Sequence, residues 1–339
     1  MVTTLRVPPP QDAPAPTPRR LTPGLGLSDR VFRGGMSVSG LIVLAVMVAV
    51  GLFLLLEATD ALRVTGFSFV TTAEWQPDRG EFGIAAVLTG TVMIALVAIA
   101  ISLPMALGTS LFITSIAPPR ARSTLIALVD LMAAVPSVVY GLWGLYFLQG
   151  RTIGLSRWLS KWFGWIPIFQ VDGADHGNPL AASSVYTAST FIAGIVVAMM
   201  VMPIQCSIMR EVFSQLPPGE REGALALGAT RWAMIRNVAL PFARGGIIGG
   251  TMLGLGRAMG ETIAVFLIIS PRFDINFNIL EAGANSVAAL IALRHGESSG
   301  FGLSALFAAG LALFVLTLII NFSASAVVAR SRSGAMSEA

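Results

Sequence analysis

The chain has 339 residues, of which 55% are hydrophobic and 12% are charged, and its mean hydropathy is +0.77. Soluble globular proteins carry about 25% charged residues, so the composition excludes an ordinary soluble enzyme and indicates a polytopic membrane protein. The formal net charge is +4, but the basic residues are dispersed between apolar segments, which argues against a nucleic-acid-binding protein.

The chain opens with a proline-rich segment, residues 1–35, that cannot bury a core and is predicted to be a disordered tail. Arg30 and Arg33 precede the apolar run Ser37–Leu56. That run is long enough to cross a bilayer, and no clear small-residue cleavage site follows it. It is therefore predicted to be an uncleaved membrane anchor rather than a signal peptide.

Six apolar segments reach the length of about 20 residues that a membrane-spanning helix needs. In chain order they are Ser37–Leu56, Phe82–Leu103, Ser123–Gln149, Ser183–Cys206, Gly246–Ser270 and Phe301–Val328. The second segment stays apolar past Pro104 toward Ala117, so we expect a kink or break at Pro104 and a short second helix beyond it. The predicted fold class is an all-α integral membrane protein with six transmembrane helices.

The third span contains three residues of interest. Asp130 is interpreted as a structural carboxylate, either near the start of the helix or paired with an arginine. Pro136 frees a backbone carbonyl and predicts a kink, and Ser137 can donate a hydrogen bond to a passing anion. The alternative for Pro136 and Ser137 is a kink that serves packing alone.

Two segments between the spans are unusual. Gly150–Ala182 carries Trp158, Trp162 and Trp165, which predict an interfacial aromatic helix. Ala284–Leu293 is apolar but too short to span. We interpret it as an interfacial helix, and a re-entrant or gate helix is the alternative.

Several residue types limit the possible chemistry. The single lysine, Lys161, is followed by Trp162, so the Gly-Lys-Ser/Thr sequence of a phosphate-binding loop cannot occur and any ATP must bind another subunit. Cys206 is the only cysteine, which excludes an intrachain disulfide and a cysteine-based metal site. His176 and His295 lie far apart and are interpreted as ordinary loop residues. No metal or cofactor is expected.

The placement of arginine and lysine predicts the orientation. If the N-terminus is cytoplasmic, the inner segments hold fourteen of these residues and the outer segments hold seven. This bias favours a multi-pass protein with both termini in the cytoplasm. The polar segment 208–245 between the fourth and fifth spans then faces the cytoplasm as well.

Residues Glu222–Pro241 predict a helix-turn-helix in that segment. A short helix containing Glu222 precedes Gly228, which permits a tight turn because it tolerates positive φ. Thr230 is a suitable N-cap for a second helix, Arg231–Val238, and Pro241 is expected to stop that helix. An apolar face is formed by Leu225, Trp232, Ile235 and Val238. From that face alone, an amphipathic helix lying on the lipid surface is the alternative.

The spacing E-G-A-x3-G-x9-V-x-L-P in this segment resembles the EAA loop of ABC-importer permeases. The resemblance implies a coupling helix that inserts into a groove on a separate ATPase subunit. It assigns this coupling to Glu222, Gly223, Ala224, Gly228, Leu240 and Pro241. Gly223 stands where the family usually has alanine, but it is equally suited to close packing.

The fifth span contains Arg257 and Glu261, which are four residues apart and are predicted to share a helix face. Arg257 lies about 20 Å into the membrane from Arg244, at 1.5 Å per residue. A charge at that depth usually faces a cavity or marks a substrate path, and a structural ion pair is the alternative. Gly254, Gly256 and Gly260 allow close approach of other backbones.

The sequences LGLGRAMGETIAV (Leu253–Val265) and DLMAAVPSVVYGLWGL (Asp130–Leu145) are similar to phosphate importer permeases of the PstC type, in the family of binding-protein-dependent transport system inner-membrane components. The similarity runs from about residue 36 to residue 329. It implies a type I ABC importer permease (MetI-like) bundle over residues 36–329 and a cytoplasmic tail over 330–339.

The resemblance also implies a function and partners. The function is phosphate import driven by ATP hydrolysis in another subunit, in the bacterial inner membrane. The partners are a second permease of the PstA type, two ATP-binding subunits of the PstB type and an extracytoplasmic phosphate-binding protein of the PstS type. Arg257 would bind phosphate oxygens bidentately, and Glu261 would neutralise Arg257 when the path is empty and accept a hydrogen bond from protonated phosphate.

Three alternatives are weighed against this function. The first is a permease for another oxyanion, such as sulfate or molybdate. The second is an ion-coupled secondary transporter, although such folds often show internal repeats that are not evident here. The third is a membrane scaffold or sensor, which would not need an arginine inside the membrane.

Overall fold

The computed structural model describes residues 26–174 and 182–332. Most of the predicted N-terminal tail, His176 and the last seven residues lie outside the described residues. The helices are α1 (Leu27–Glu57), α2 (Thr59–Thr65), α3 (Ser68–Thr71), α4 (Ala85–Leu111), α5 (Pro119–Ala134), α6 (Ser137–Trp143), α7 (Gln149–Phe163), α8 (Thr190–Ser214), α9 (Pro218–Ala226), α10 (Arg231–Met234), α11 (Leu240–Met259), α12 (Ile263–Ile268), α13 (Val287–Arg294) and α14 (Phe301–Arg332). Strands β1 (Trp75–Gln76) and β2 (Glu81–Phe82) form a small antiparallel hairpin.

The helical fold class is confirmed, and the number of spans depends on one bend. Five helical segments in the described residues are long and apolar enough to cross a membrane. A sixth span is obtained when α5 and the segment Ser137–Phe163, which are bent by 88° at their junction, are counted together. By tertiary contacts the chain divides into two units, residues 1–50 and 51–339.

Several spans begin at positions other than those predicted, and the first and the fourth show why. Helix α1 begins at Leu27 rather than Ser37, because a helix that has nucleated in the apolar run gains a hydrogen bond for each polar residue it adds. The fourth span begins at Thr190 rather than Ser183, since residues 183–186 form a 3₁₀ turn. The hydroxyl oxygen of Ser189 accepts a hydrogen bond from the amide of Ile192 at 3.4 Å and so caps α8.

Helix α4 continues through Pro104, and a π-helical turn over residues 112–116 extends it. The separate short helix predicted after Pro104 is therefore wrong. Proline removes a single backbone hydrogen bond, whereas the rest of the helix keeps its own bonds and packs against α8, where Ala98 and Ala106 are buried.

Helices α4 and α8 form the centre of the second unit, and α11 packs on α8. Small and β-branched side chains fill the buried interface, among them Ile94, Ala95, Ala98, Ile192, Val196 and Val197. A Cβ added at Gly254 of α11 would lie 2.7 Å from Cγ1 of Val201 in α8. The absence of a side chain at this glycine therefore sets how closely the two helices approach.

Helix α13 lies inside the second unit. Its first turn, residues 287–290, is buried and packs against α4, α12 and α14. The amide of Val287 donates a hydrogen bond to Oγ1 of Thr91 in α4 at 3.0 Å. The interfacial interpretation of Ala284–Leu293 is therefore wrong, because the apolar turn contacts other helices instead of a bilayer surface.

Candidate functional site

The third span is interrupted between α5 and α6. Val135 and Pro136 have extended backbone angles, and α6 begins at Ser137. The resulting bend of 88° confirms the kink predicted at Pro136. It follows from the preference of proline and of the residue before it for extended conformations.

Tyr140 bridges this bend. Its hydroxyl group donates a hydrogen bond to the backbone carbonyl of Met132 at 3.0 Å. That carbonyl belongs to the last turn of α5 and cannot find its usual partner beyond the break. The tyrosine therefore holds the orientation of α6 relative to α5.

The fifth span is also interrupted, at residues 260–262. Helix α11 ends at Met259 and α12 begins at Ile263, so the prediction that Arg257 and Glu261 share a helix face is wrong. Oε1 of Glu261 instead accepts a hydrogen bond from the amide of Ala264 at 3.3 Å. A carboxylate competes well for the unpaired amides of a first helical turn, and glycine at position 260 weakens the helix before it.

The structural ion pair considered for these two residues is not formed either. No ion pair of 4.0 Å or less joins Arg257 to Glu261 in the described residues. Arg257 lies in the last turn of α11 and is exposed, whereas Glu261 is half-buried.

The short helices α6 and α12 pack directly against each other. A Cβ added at Gly141 would lie 2.9 Å from Cα of Ala264, and one added at Gly144 would lie 2.8 Å from Cδ1 of Ile268. The contacts advance in the same direction along both helices, so α6 and α12 run parallel. Both helices therefore begin at the same end of their interface.

Counting back four residues on both helices from the contact between Gly141 and Ala264 places Ser137 level with residue 260. This residue belongs to the break that also contains Glu261. The structure thus brings Ser137 and Glu261 to the starts of two paired helices, with Arg257 one turn earlier along the chain. Asp130 does not join them, because it lies near the end of α5 and is exposed. Both roles expected for Asp130 are wrong: α5 begins at Pro119, and Asp130 forms no ion pair within the described ranges.

Two polar side chains beside α11 were missed by the sequence analysis. Gln205 of α8 is fully buried against Gly254, and neither its amide nitrogen nor its amide oxygen has a hydrogen-bond partner among the described residues. Oδ1 of Asn321 in α14 lies 3.7 Å from the position of a Cβ at Gly256. A lone amide within an apolar span is a signal of function and would have identified both residues.

The segment around α9 confirms most of the predicted local structure. Helix α9 contains Glu222, Gly223 and Ala224. Gly228 has a φ of +87°, as the tight turn requires, and Oγ1 of Thr230 accepts a hydrogen bond from the amide of Ala233 at 3.2 Å. The predicted turn and N-cap are therefore confirmed.

Pro241 does not stop the second helix. Helix α10, the π-helical turn over residues 235–239 and α11 form one continuous helical segment, Arg231–Met259. The amide of Leu240 donates to the carbonyl of Ile235, five residues earlier. Pro241 has no amide hydrogen to donate. The π-helical turn before it pairs each carbonyl with the amide five residues later, so the helix tolerates the missing donor.

Two cavities flank α9. One has a volume of about 460 Å³, and its lining includes Arg122, Arg221 and Glu222. Arg122 also donates hydrogen bonds to the carbonyls of Ala117 and Thr114, each at 3.1 Å, which fixes the turn between α4 and α5. The other cavity measures about 400 Å³ and is bordered by Leu225, Trp232, Ile235 and Arg231.

The predicted coupling residues differ in exposure. Glu222, Gly223 and Gly228 are exposed, as is Pro241, while Ala224 and Leu240 are half-buried. No atom lies within 4 Å of a Cβ added at Gly223. The small size of residue 223 therefore serves no contact with the described residues and leaves a surface that another subunit can approach.

The part of the chain that the structure describes contains no group of three or more His, Cys, Asp or Glu side chains that could hold a metal ion. His295 directly follows α13, and Cys206 is buried in α8.

Comparison with known proteins extends these observations. Residues 106–333 match the family described as binding-protein-dependent transport system inner membrane component. The phosphate transport system permease protein PstC 2 of Mycobacterium tuberculosis is 36% identical over 310 residues, which cover 90% of this chain and 93% of the relative. PstC of Xylella fastidiosa is 35% identical over 294 residues, covering 86% of this chain and 88% of the relative.

A solved structure resembles the fold. The crystal structure of a bacterial alginate ABC transporter in complex with an alginate pentasaccharide-bound periplasmic protein contains a chain that matches with a TM-score of 0.56 and 16% identity. The match covers 88% of this chain and 95% of the other. At this identity the likeness concerns the fold alone.

Proposed function

This chain belongs to the family of binding-protein-dependent transport system inner-membrane components, and from that membership we propose that it is a permease subunit of an ATP-driven phosphate importer. The observation that carries the proposal is the similarity to PstC proteins, which extends over 90% of the chain. It includes the interrupted spans and the segment around α9.

We place the phosphate path beside the paired starts of α6 and α12. Ser137 can donate a hydrogen bond there, and the exposed guanidinium group of Arg257 can bind two phosphate oxygens at once. Because Arg257 forms no ion pair with the residues that the structure describes, its donors are available to the substrate without first breaking a salt bridge there. Glu261 can accept a hydrogen bond from the protonated oxygen of phosphate, which sulfate lacks at neutral pH.

We further propose that α9 is the surface on which an ATPase subunit docks. Glu222 and Gly223 are exposed on this helix, and the adjacent cavities contain both apolar and charged side chains. ATP hydrolysis then occurs in that separate subunit. This docking places the segment 208–245 and both termini in the cytoplasm, in agreement with the excess of arginine on that side.

The complete importer would contain a second permease of the PstA type, two PstB-type ATPase subunits and a PstS-type phosphate-binding protein outside. The domain division follows the same proposal. Residues 36–329 form the permease domain, preceded by a cytoplasmic tail of residues 1–35 and followed by a tail of residues 330–339.

The proposal is tested by ATP-driven uptake of labelled phosphate into proteoliposomes that contain the assembled importer and its binding protein. We expect Arg257→Gln to lower uptake by about tenfold to a hundredfold, the range for losing hydrogen bonds to a charged group. Arg244→Gln is the matched control, because Arg244 is an exposed arginine near the beginning of the same helix. Full uptake by an assembled Arg257→Gln complex would remove Arg257 from the path.

The same assay separates the competing functions. Uptake of sulfate or molybdate in preference to phosphate would replace the proposed substrate, and uptake without ATP would indicate a secondary transporter. For the wild type we expect phosphate preference, and we expect Glu261→Gln to reduce the preference for phosphate over sulfate. An unchanged preference in the assembled variant would exclude Glu261 from selectivity.

A further inference from the structure

Helix α7 buries its polar side and exposes its apolar side. Thr152, Ser156 and Ser160 recur every four residues and are buried. On the opposite side, Leu155, Trp158 and Trp162 are exposed, as is Trp165 just after the end of α7, and the exposed fraction rises from 46% at Leu155 to 80% at Trp165. A helix at a water-facing surface has the reverse distribution. We call these four residues the aromatic stripe.

Cationic groups accompany the aromatic stripe. The guanidinium carbon of Arg151 lies 4.5 Å from the ring centroid of Phe147, and Nζ of Lys161 lies 6.0 Å from that of Trp162. Among the described residues, neither cation has a carboxylate within 4.0 Å. The sequence from Gln149 to Val171 contains no acidic residue. Helix α7 is therefore apolar and positively charged on its exposed side, and the nearest acidic residue in sequence is the exposed Asp172 after Val171.

A groove opens at the end of this stripe. It has a volume of about 350 Å³, and its lining includes Lys161, Trp162, Trp165 and Gln170. The groove thus combines one ammonium group and one side-chain amide with two indole rings. Ammonium and amide groups donate hydrogen bonds to phosphate oxygens, and indole rings favour the level of the glycerol backbone in a bilayer.

We propose that this groove binds the headgroup of an anionic phospholipid. Lys161 contacts the lipid phosphate, and Trp162 and Trp165 contact the glycerol and the first acyl carbons. Arg151 adds a second positive charge about 15 Å away along the helix, at 1.5 Å per residue over ten residues. This site is separate from the phosphate path and does not depend on which ion the protein transports.

The charge and the position of α7 favour lipid over a protein partner. The segments Pro119–Ala134 and Ser137–Phe163 together make one bent candidate span, and the aromatic stripe lies at the C-terminal end of this pair. Long cationic side chains and tryptophan together are typical of the headgroup region. The charged residues of α7 are all positive, which matches an anionic membrane surface.

The test uses the assembled importer in phosphatidylcholine vesicles that contain a minor fraction of brominated phosphatidylglycerol or, separately, brominated phosphatidylcholine. Bromine quenches nearby tryptophan fluorescence, and subtracting the signal of a Trp162→Phe complex isolates the contribution of Trp162. We expect stronger quenching by the brominated phosphatidylglycerol. Lys161→Gln should lower this preference about fivefold, which corresponds to about 1 kcal/mol for one basic group at the membrane surface.

Arg79→Gln is the matched control, because Arg79 is an exposed cation in the turn between β1 and β2, away from the groove. It should leave the preference unchanged. Equal quenching by the two lipids would overturn the headgroup site, and no quenching by either would show that protein covers the stripe. Relief of the quenching by inorganic phosphate would reassign the groove to a free anion.

Discussion

The glycines of the helical bundle and those around α9 differ in what surrounds them. A Cβ added at Gly90 would overlap the carbonyl oxygen of Asn285, and one added at Gly194 would overlap Val97. At Gly219 and Gly223, by contrast, no atom lies within 4 Å of an added Cβ. At Gly90 and Gly194 the bundle uses glycine to bring its helices close together, whereas the α9 segment uses it to leave space on its surface.

The largest effect is expected when a closely packed glycine of the bundle is replaced by a larger residue. We expect Gly90→Val to reduce the amount of monodisperse protein in the membrane by more than tenfold, because a backbone carbonyl cannot move aside as a side chain can. The cost should exceed the roughly 1–3 kcal/mol typical of overpacking. Size-exclusion chromatography of a fluorescent fusion measures the yield.

Gly108→Val provides the matched control for this change. Gly108 lies in the same helix, α4, and an added Cβ would meet no atom within 4 Å. A near-normal yield is expected for this variant. Equal losses for the two variants would mean that β-branching in the helix is responsible rather than the contact with Asn285.

A smaller effect is expected at the open glycines. Gly223→Leu should leave folding and membrane insertion unchanged and weaken binding of the ATPase subunit about tenfold, equivalent to about 1.4 kcal/mol. The reason is that the new side chain occupies the surface on which we propose the subunit docks. Titration of the purified permease pair with the ATPase measures the affinity. Gly296→Leu, at another glycine with open surroundings, should bind normally, and an unchanged affinity in Gly223→Leu would contradict the docking surface.

A third kind of glycine is favoured by its own backbone angle. Gly283 has a φ of +95°, and a Cβ there would lie 2.9 Å from Cδ of Arg272. Arg272 in turn donates a hydrogen bond to Oε1 of Glu281 at 2.7 Å. This glycine therefore shapes a loop between α12 and α13 that is closed by polar contacts.

The smallest expected effect is the pH dependence of this loop. Burial raises the pKa of Glu281, but hydrogen bonds from Arg272, Asn278 and Asn276 outweigh it and hold the pKa below its ordinary value of 4.5. Folding therefore stabilises the ionised carboxylate. This contribution is present above pH 4.5 and is lost as the pH falls through the lower pKa of the folded protein.

Thermal unfolding of wild type and Glu281→Gln at a series of acidic pH values measures this contribution. We expect the two unfolding midpoints to differ by a few degrees at neutral pH and to converge as the pH falls below 4.5 and through the lowered pKa of Glu281. A difference that stays constant across the series would show that titration of Glu281 does not contribute to the acid sensitivity.

The local backbone conformation could be predicted wherever a single residue determines it. Gly228 takes a positive φ, Thr230 caps its helix and Pro136 bends its span, because each preference is intrinsic to the residue or its nearest neighbours. The apolar spans were predictable as well, since a bilayer requires long apolar segments.

The helix continuity at Pro104 and Pro241 and the arrangement of Arg257 and Glu261 could not be predicted in this way. Pro104 and Pro241 have the same chemistry as Pro136, yet the helix continues through both. The difference lies in packing against α8 for Pro104 and in the π-helical turn before Pro241, and neither is visible in local sequence. The four-residue spacing predicted that Arg257 and Glu261 share a helix face. That prediction assumed that the helix continues, whereas α11 ends at Met259.

The continuity of the segment Arg231–Met259 has a mechanical consequence. Its 29 residues make a rod of about 43 Å at 1.5 Å per residue. The rod begins beside the cavity next to α9 and ends with the turn that carries Arg257. A rotation of about 10° about its beginning displaces its far end by about 7 Å over that length. The segment is thus long and continuous enough to act as a lever arm, in which a small motion at one end would become a displacement of several ångströms at the other.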